Sequence, residues 1–328
     1  MIYLRKIIVI LFVFLTFQVK AQDFPYHYFT HVNPFVNNPS LAAFNNNYRV
    51  DVASHNLWAG GFKPLNDYLV SFSFSPRGNR YNNAKNPSAS KSKSQNSFYP
   101  FAPSGRNYNR KTSFLSNVGL GVVFLKEQIG PFNQDILQLV YAYHILISEK
   151  TIFSLGISGM LENININVNS LTPLEPDDPR LLAGNNNSLL FDGGFGATIS
   201  GEKYKIAISS LNIVQSTHRF TETSVAEITN YRKFFISGSY VLRTNNFFSF
   251  KPEITLRNSR DNTLNFDTSV TCNIAQLFFG MGYRSENAIF IFTKIPFKEF
   301  VFSYTSENAM DSKHLIGNAH TFSVSWTM

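Results

Sequence analysis

The chain carries one cysteine, Cys272, among 328 residues, so it has no disulfide framework and no lipoprotein cysteine after its leader. Beyond residue 21 there is no apolar run approaching the roughly twenty residues that a helical membrane span needs. Any crossing of a bilayer must therefore be made by strands. A convincing 3.6-residue hydrophobic period is missing throughout, which argues against helical architecture. Acids are scarcer than bases, 21 against 29, giving a formal charge of +8. That falls to about +5 once Arg5, Lys6 and Lys20 leave with the leader. The remainder is too modest and too unevenly placed to argue for nucleic acid.

The leader itself is legible. Arg5 and Lys6 form a charged head, Ile7 to Phe17 an apolar run, and Val19-Lys20-Ala21 the small residues expected before a cut. Residues 1–21 thus read as a signal peptide, with Gln22 opening the mature chain. What is abundant is aromatic: 33 phenylalanines and 15 tyrosines, a weight that suits a barrel wearing two interfacial girdles.

Phe247 to Asn273 shows how the chain is built. Phe248, Phe250, Pro252, Ile254 and Leu256 alternate with Ser249, Lys251, Glu253, Thr255 and Arg257. After the turn 258–262, Leu264, Phe266, Val270 and Cys272 oppose Asn265, Asp267, Ser269 and Thr271. A strand's side chains have a period of two, so one face is oily and the other polar. The hairpin alone fits a soluble sandwich with an oily core and equally an outer-membrane barrel with an oily exterior.

Connection lengths separate the two. Fourteen strand-like stretches run from Tyr48–Ala59 to Ala319–Met328, most near ten residues. From the third onward, tight turns such as Ser148-Glu149, Gly201-Glu202 and Thr244-Asn245-Asn246 alternate with long loops at 165–186, 217–231 and 307–318. A sandwich has no reason to segregate loop lengths, whereas a bacterial barrel with an even strand count does. The expected fold is all-β: a single transmembrane antiparallel up-and-down barrel of about 14 strands over residues 48–328, in the outer membrane.

Two segments stand apart. Residues 22–47 contain Asn33-Pro34 and Asn38-Pro39, which predict a fixed, irregular N-terminal strap, periplasmic or packed in the lumen, because proline removes a donor and restricts its predecessor. Residues 77–112 are rich in Asn, Ser, Gly and Pro and carry eight bases without an acid. They read as a solvated low-complexity insertion, with docking of an acidic partner or lipid phosphates as the sharper alternative.

Chemistry is hard to find. Gly193-Gly194-Phe195-Gly196 lacks both the sixth-position glycine and the helix of a dinucleotide loop, and small residues making room in the lumen explain it better. His27 and His31 have metal spacing only on a helix, which Pro25 opposes. Glu175-Pro176-Asp177-Asp178 lacks the ligand ladder of a calcium loop. No catalytic, cofactor-binding or metal residue is nominated, and no enzyme activity is expected. Lys251, Glu253, Arg257 and Asp267, if inward, are expected to form a mixed-sign network tying neighbouring strands in the lumen. With the strap, such a network would make a closed platform rather than a wet diffusion channel.

The chain resembles the PorP/SprF family of type IX secretion outer-membrane proteins. The resemblance rests on Asn33-Pro34, Asn38-Pro39, Tyr48-Arg49 and Trp58 near the start, and on Gly119-Leu120-Gly121, Gly130, Tyr141-Ala142-Tyr143-His144, Leu155-Gly156 and Phe191-Asp192 in the middle. Gly282-Tyr283-Arg284, Ala288-Ile289, Ser303-Tyr304 and the His320 strand complete it. Ser40-Leu41-Ala42-Ala43 departs from a more usual Ala-Tyr-Ala-Gly, and the chain ends in Trp326-Thr327-Met328 rather than in an aromatic residue. The resemblance implies a barrel without catalysis or cofactor that works with the type IX machinery. Its implied partner is a large exported surface protein, such as a gliding adhesin, engaged through a C-terminal targeting domain. The rival expectation is an outer-membrane channel or transporter for small solutes.

Overall fold

Alternating oily and polar side chains produce fourteen long strands, each hydrogen-bonded to antiparallel neighbours. The computed structural model describes residues 25–44, 48–57, 65–76, 117–129, 132–148, 151–167, 187–219, 227–243, 248–258, 264–274, 277–285, 288–310 and 318–328. The expected leader at 1–21, Trp58, residues 175–178 and the basic stretch 77–112 lie outside the described residues.

The first seven strands are β1 (Tyr48–Leu57), β2 (Leu65–Phe74), β3 (Val118–Ile129), β4 (Phe132–Ser148), β5 (Thr151–Ile166), β6 (Asn187–Ser200) and β7 (Tyr204–Leu211). The second seven are β8 (Lys233–Tyr240), β9 (Phe248–Asn258), β10 (Leu264–Ile274), β11 (Leu277–Arg284), β12 (Ala288–Phe297), β13 (Phe300–Ala309) and β14 (Ala319–Thr327). After Val241, Leu242–Arg243 continue the line of β8 against β9. Closure comes from β1 pairing with β14, Arg49 opposite Thr327 and Leu57 opposite Ala319. The result is a closed barrel, which removes the exposed edges of an open sheet.

The fourteen expected strands are all present, but some ends move. β4 and β5 have 17 and 16 residues. At about 3.4 Å per residue they outreach a hydrocarbon core about 30 Å thick even when tilted. β7 stops at Leu211 because the chain turns off the wall. There Val214 N and Ser216 N donate to the Asp192 carboxylate at 3.0 and 3.4 Å. Asn212 and Gln215 take positive φ in that turn. Within the connection read as a loop at 217–231, Thr217–Arg219 pairs with Glu227–Thr229 as a short hairpin.

The oily face points outward. Val52, Leu139, Ile157, Ile206, Met281 and Phe322 are each exposed on the outer surface, as a lipid-facing wall requires. Leu264 is 64% exposed, while Phe248 and Phe250 pack edge-to-face at 4.5 Å on that same outer side. The inner face is less uniform than a polar lumen. Val123, Leu125, Ile136, Val140 and Met160 point inward and form a dry cluster with Phe29, Val32, Phe35, Val36 and Ala42 of the strap. The barrel therefore has a hydrophobic core, and a segment preceding the barrel completes it.

Candidate functional site

The strap descends the lumen in three short 3₁₀ turns, Pro25–His31, Pro34–Val36 and Pro39–Leu41. The two Asn-Pro pairs explain the last two. In each, proline occupies the first turn position, where no N–H is needed, and the asparagine caps it. Asn33 Oδ1 accepts from Phe35 N at 3.1 Å, and Asn38 Oδ1 accepts from Ser40 N at 3.0 Å. With the oxygens committed to the turns, the amide nitrogens face the wall. Asn33 Nδ2 donates to Asp51 at 2.5 Å and Ser71 at 2.7 Å on β1 and β2. Asn38 Nδ2 donates to Thr198 at 3.3 Å and to the Ile208 carbonyl at 3.4 Å on β6 and β7. A repeat of five residues thus becomes two cap-and-anchor units gripping different parts of the barrel.

Further bonds fix the strap along its length. Arg49 bridges the strap and the barrel: its Nε reaches both Asp51 oxygens at 2.9 Å, and Nη2 donates to the Val32 carbonyl at 2.6 Å. His144 Nε2 donates to the Ala42 carbonyl at 3.0 Å, leaving Nδ1 to accept from the Ser154 hydroxyl at 2.8 Å. Ser209 donates to the Asn37 carbonyl at 2.7 Å, and Lys294 to that of His31 at 2.5 Å. Where the strap comes closest, the wall is glycine. A Cβ built on Gly156 would overlap the Pro39 carbonyl and Ser40 nitrogen, one on Gly119 the Ala42 carbonyl, and one on Gly196 the Asn38 side chain. Gly196 belongs to the run read as making room in the lumen, and Asn38 fills that room.

Of the residues singled out in the sequence, Asn33 and Arg49 meet at Asp51, and Asn38 with Pro39 sits over β5 and β6. Tyr48 is on the outer face, its ring stacked on Phe74 at 6.4 Å, and its backbone bonds Met328. Lys251 and Glu253 pair at 2.7 Å, and Arg257 and Asp267 at 3.3 Å. Only the second pair joins neighbouring strands; the first runs along β9, two residues apart. His31 lies between Phe290 and Phe292, with ring centroids 5.0 and 5.1 Å away.

Sequence reasoning missed the partners. Asp51, Ser71 and Thr198 look like ordinary inward residues of alternating strands, and nothing local marks them as strap contacts. Arg284 stood out only within the Gly282-Tyr283-Arg284 motif, with no sign of its contacts: it meets Glu307 at 3.2 Å and covers Tyr28 of the strap. Between the strap and the inner faces of β9–β14, joined by Arg49 of β1, Ser73 of β2 and Lys205 of β7, a cavity of about 230 Å³ remains. Among the described residues no group of three or more His, Cys, Asp or Glu side chains is placed to hold a metal ion.

Residues 18–326 match the family described as "Type IX secretion system membrane protein PorP/SprF". None of the curated proteins compared with the chain matches it. The chain is also similar, at low identity, to several solved structures. The Ralstonia pickettii toluene transporter TbuX is 8% identical, with 89% of this chain and 92% of that chain covered and a TM-score of 0.48. The CymD monoaromatic hydrocarbon channel is 10% identical, with 95% and 94% covered and a TM-score of 0.48. The Acinetobacter baumannii outer membrane protein Omp33 is 7% identical, with 88% and 100% covered and a TM-score of 0.45.

Proposed function

Because the chain belongs to the PorP/SprF family of type IX secretion system membrane proteins, we infer that it is a non-enzymatic outer-membrane barrel that helps secrete or retain a large cell-surface protein. It does so by binding that protein's C-terminal targeting domain, with a gliding adhesin as the kind of cargo envisaged, while its periplasmic rim meets the secretion machinery. The observation that carries this reading is the anchored strap. A diffusion channel needs a continuous wet lumen, yet here a segment with buried Phe29, Phe35 and Val36 crosses the interior and is tied to β1, β2, β4, β6, β7 and β12. A barrel closed in this way favours recognition at its two rims over passage through its middle.

Deleting the gene and comparing the surface proteome of intact cells tests the proposal. One large protein with a C-terminal targeting domain should vanish from the surface, and a barrel re-expressed from a plasmid should restore it. An unchanged surface proteome would reject the cargo role. Conductance of hundreds of picosiemens by the purified protein in planar bilayers would instead favour a solute channel.

A further inference from the structure

The cavity beneath the strap has a composition that the anchoring role does not require. Among the described residues five cations line it, Arg49, Lys205, Arg243, Lys251 and Lys294, against two carboxylates, Glu202 and Glu253. Even counting Asp51, which bonds Arg49 from behind, cations exceed carboxylates by two. Such an excess in a confined space is costly, because each charge gives up water and repels its neighbours. An anion entering the cavity would relieve both terms and be attracted strongly by the same low-dielectric walls.

The rest of the lining limits what the anion can be. Phe278, Phe292, Val301 and Phe44 supply apolar surface to the same space. A bare inorganic anion has no use for that surface. The volume, about 230 Å³, is below the range of about 300–1,000 Å³ usual for drug-sized ligands. It suits a ligand the size of one amino-acid residue. The cavity reaches the tight-turn end of the barrel, where Glu202, Val241 and Arg243 line it, and the strap roofs its other side. A ligand there would be held, not passed through.

We propose that this cavity is a binding site for an apolar carboxylate, a small hydrophobic body ending in a carboxyl group. That chemistry has two sources, a free small acid or the C-terminal residue of a polypeptide reaching in from the tight-turn side. The site does not depend on the cargo role inferred above.

Calorimetric titration of the full-length protein in a neutral detergent tests it. The probes are phenylacetate, its uncharged analogue phenylacetamide, inorganic phosphate, and a hexapeptide ending in phenylalanine with either a free or an amidated C-terminus. Phenylacetate or the free-acid peptide should bind with a Kd at or below about 1 mM, and each neutral analogue and phosphate at least about tenfold more weakly. Lys251→Met and Lys294→Met should each weaken binding at least about tenfold. Because a lost charge could disturb folding, Ser303→Trp provides a second route: it fills the cavity without removing a cation and should abolish binding. Heat-dependent gel mobility checks that each variant is folded. Binding of phenylacetate alone assigns a free acid as the source, and binding of the peptide assigns a chain terminus. The proposal is overturned if acid and amide bind alike, if no carboxylate probe binds, or if Ser303→Trp binds as well as the parent.

Discussion

The inner walls of β3–β7 and of β9–β13 belong to one barrel and alternate with the same period, yet they do opposite things. On the first, glycine, alanine and aliphatic side chains let the strap backbone approach until no room remains for a Cβ at Gly119, Gly156 or Gly196. On the second, Ser249, Lys251, Glu253 and Arg257 face inward, and the strap stands off far enough to leave a cavity. The outer faces of both regions are equally oily. Lipid demands the same exterior everywhere, so the exterior specifies the fold. The interior answers to no such demand, and there the two halves diverge into a close-packed dock, with Glu127 and Glu162 also buried on its wall, and a charged chamber.

The sharpest way to break that contrast is to add a side chain to the dock. Gly156→Leu has no space, because the strap backbone at Pro39 and Ser40 already occupies the position. The strap would have to leave, exposing Phe29, Phe35 and Val36, each contributing about 1.5–3 kcal/mol of burial. A loss of more than about 4 kcal/mol in urea unfolding from lipid vesicles is expected, together with new conductance in planar bilayers. Gly159→Leu is the control on the same strand. It faces outward with nothing within 4 Å of the added atom, and it should leave stability and conductance nearly unchanged. Equal effects at the two positions would show that the strap does not seal the lumen.

A smaller cut removes one anchor and spares the packing. Asn38→Ala loses the cap on Ser40 and the contacts to Thr198 and Ile208. The expected cost is about 1–3 kcal/mol in the same unfolding measurement. Asn38→Asp keeps the capping oxygen but turns a second carboxylate oxygen toward the Ile208 carbonyl in a buried site, so it should cost at least as much as Asn38→Ala. If Asn38→Ala costs nothing, close packing over Gly196 holds the strap and the Asn-Pro repeat merely shapes it.

The charged chamber should respond more weakly. Arg257 is 1% exposed and reaches across from β9 to Asp267 on β10, so a double-mutant cycle should give about 1–2 kcal/mol of coupling. Lys251 and Glu253, paired along one strand and 24% and 16% exposed, should couple by less than about 1 kcal/mol. The reverse order would mean that the surroundings of Lys251 and Glu253 are drier than those of Arg257 and Asp267.

How far this contrast could be seen in advance follows from its physics. Side-chain alternation is local, so strand number and the oily exterior were readable from stretches such as 248–257 one at a time. The strap's irregular course was readable too, since Asn-Pro pairs restrict their own backbone. Its destination was not: Asn33 to Asp51 and Asn38 to Thr198 are contacts between distant segments, and serine, threonine or aspartate on an inward strand face gives no sign of a partner. The four inward charges on β9 and β10 were identifiable by parity, but parity cannot say which pairs form. Among those charges Lys251 pairs with Glu253 along β9, and Arg257 with Asp267 across to β10. The glycine run at 193–196 carried a usable signal, because an inward glycine in a wide barrel calls for something that fills the gap.

The smallest expected effect has the opposite sign and lies where dock and chamber meet. Ala43 follows the last strap turn, adopts φ 51° and borders the cavity. That left-handed conformation costs a residue with a Cβ about 1–2 kcal/mol, and glycine avoids the cost. Ala43→Gly gives back roughly 0.5–1 kcal/mol through the greater freedom of the unfolded chain. It also forfeits the contacts of one largely covered methyl, an offset smaller than the strain released. The balance favours glycine by up to about 1 kcal/mol, to be read as a rise in the urea midpoint with the slope unchanged. It would also bring the segment closer to the Ala-Tyr-Ala-Gly pattern from which residues 40–43 depart. A lowered midpoint would mean that the methyl packs more tightly than the cavity beside it implies, and that the dock extends further toward the chamber than the glycine contacts mark out.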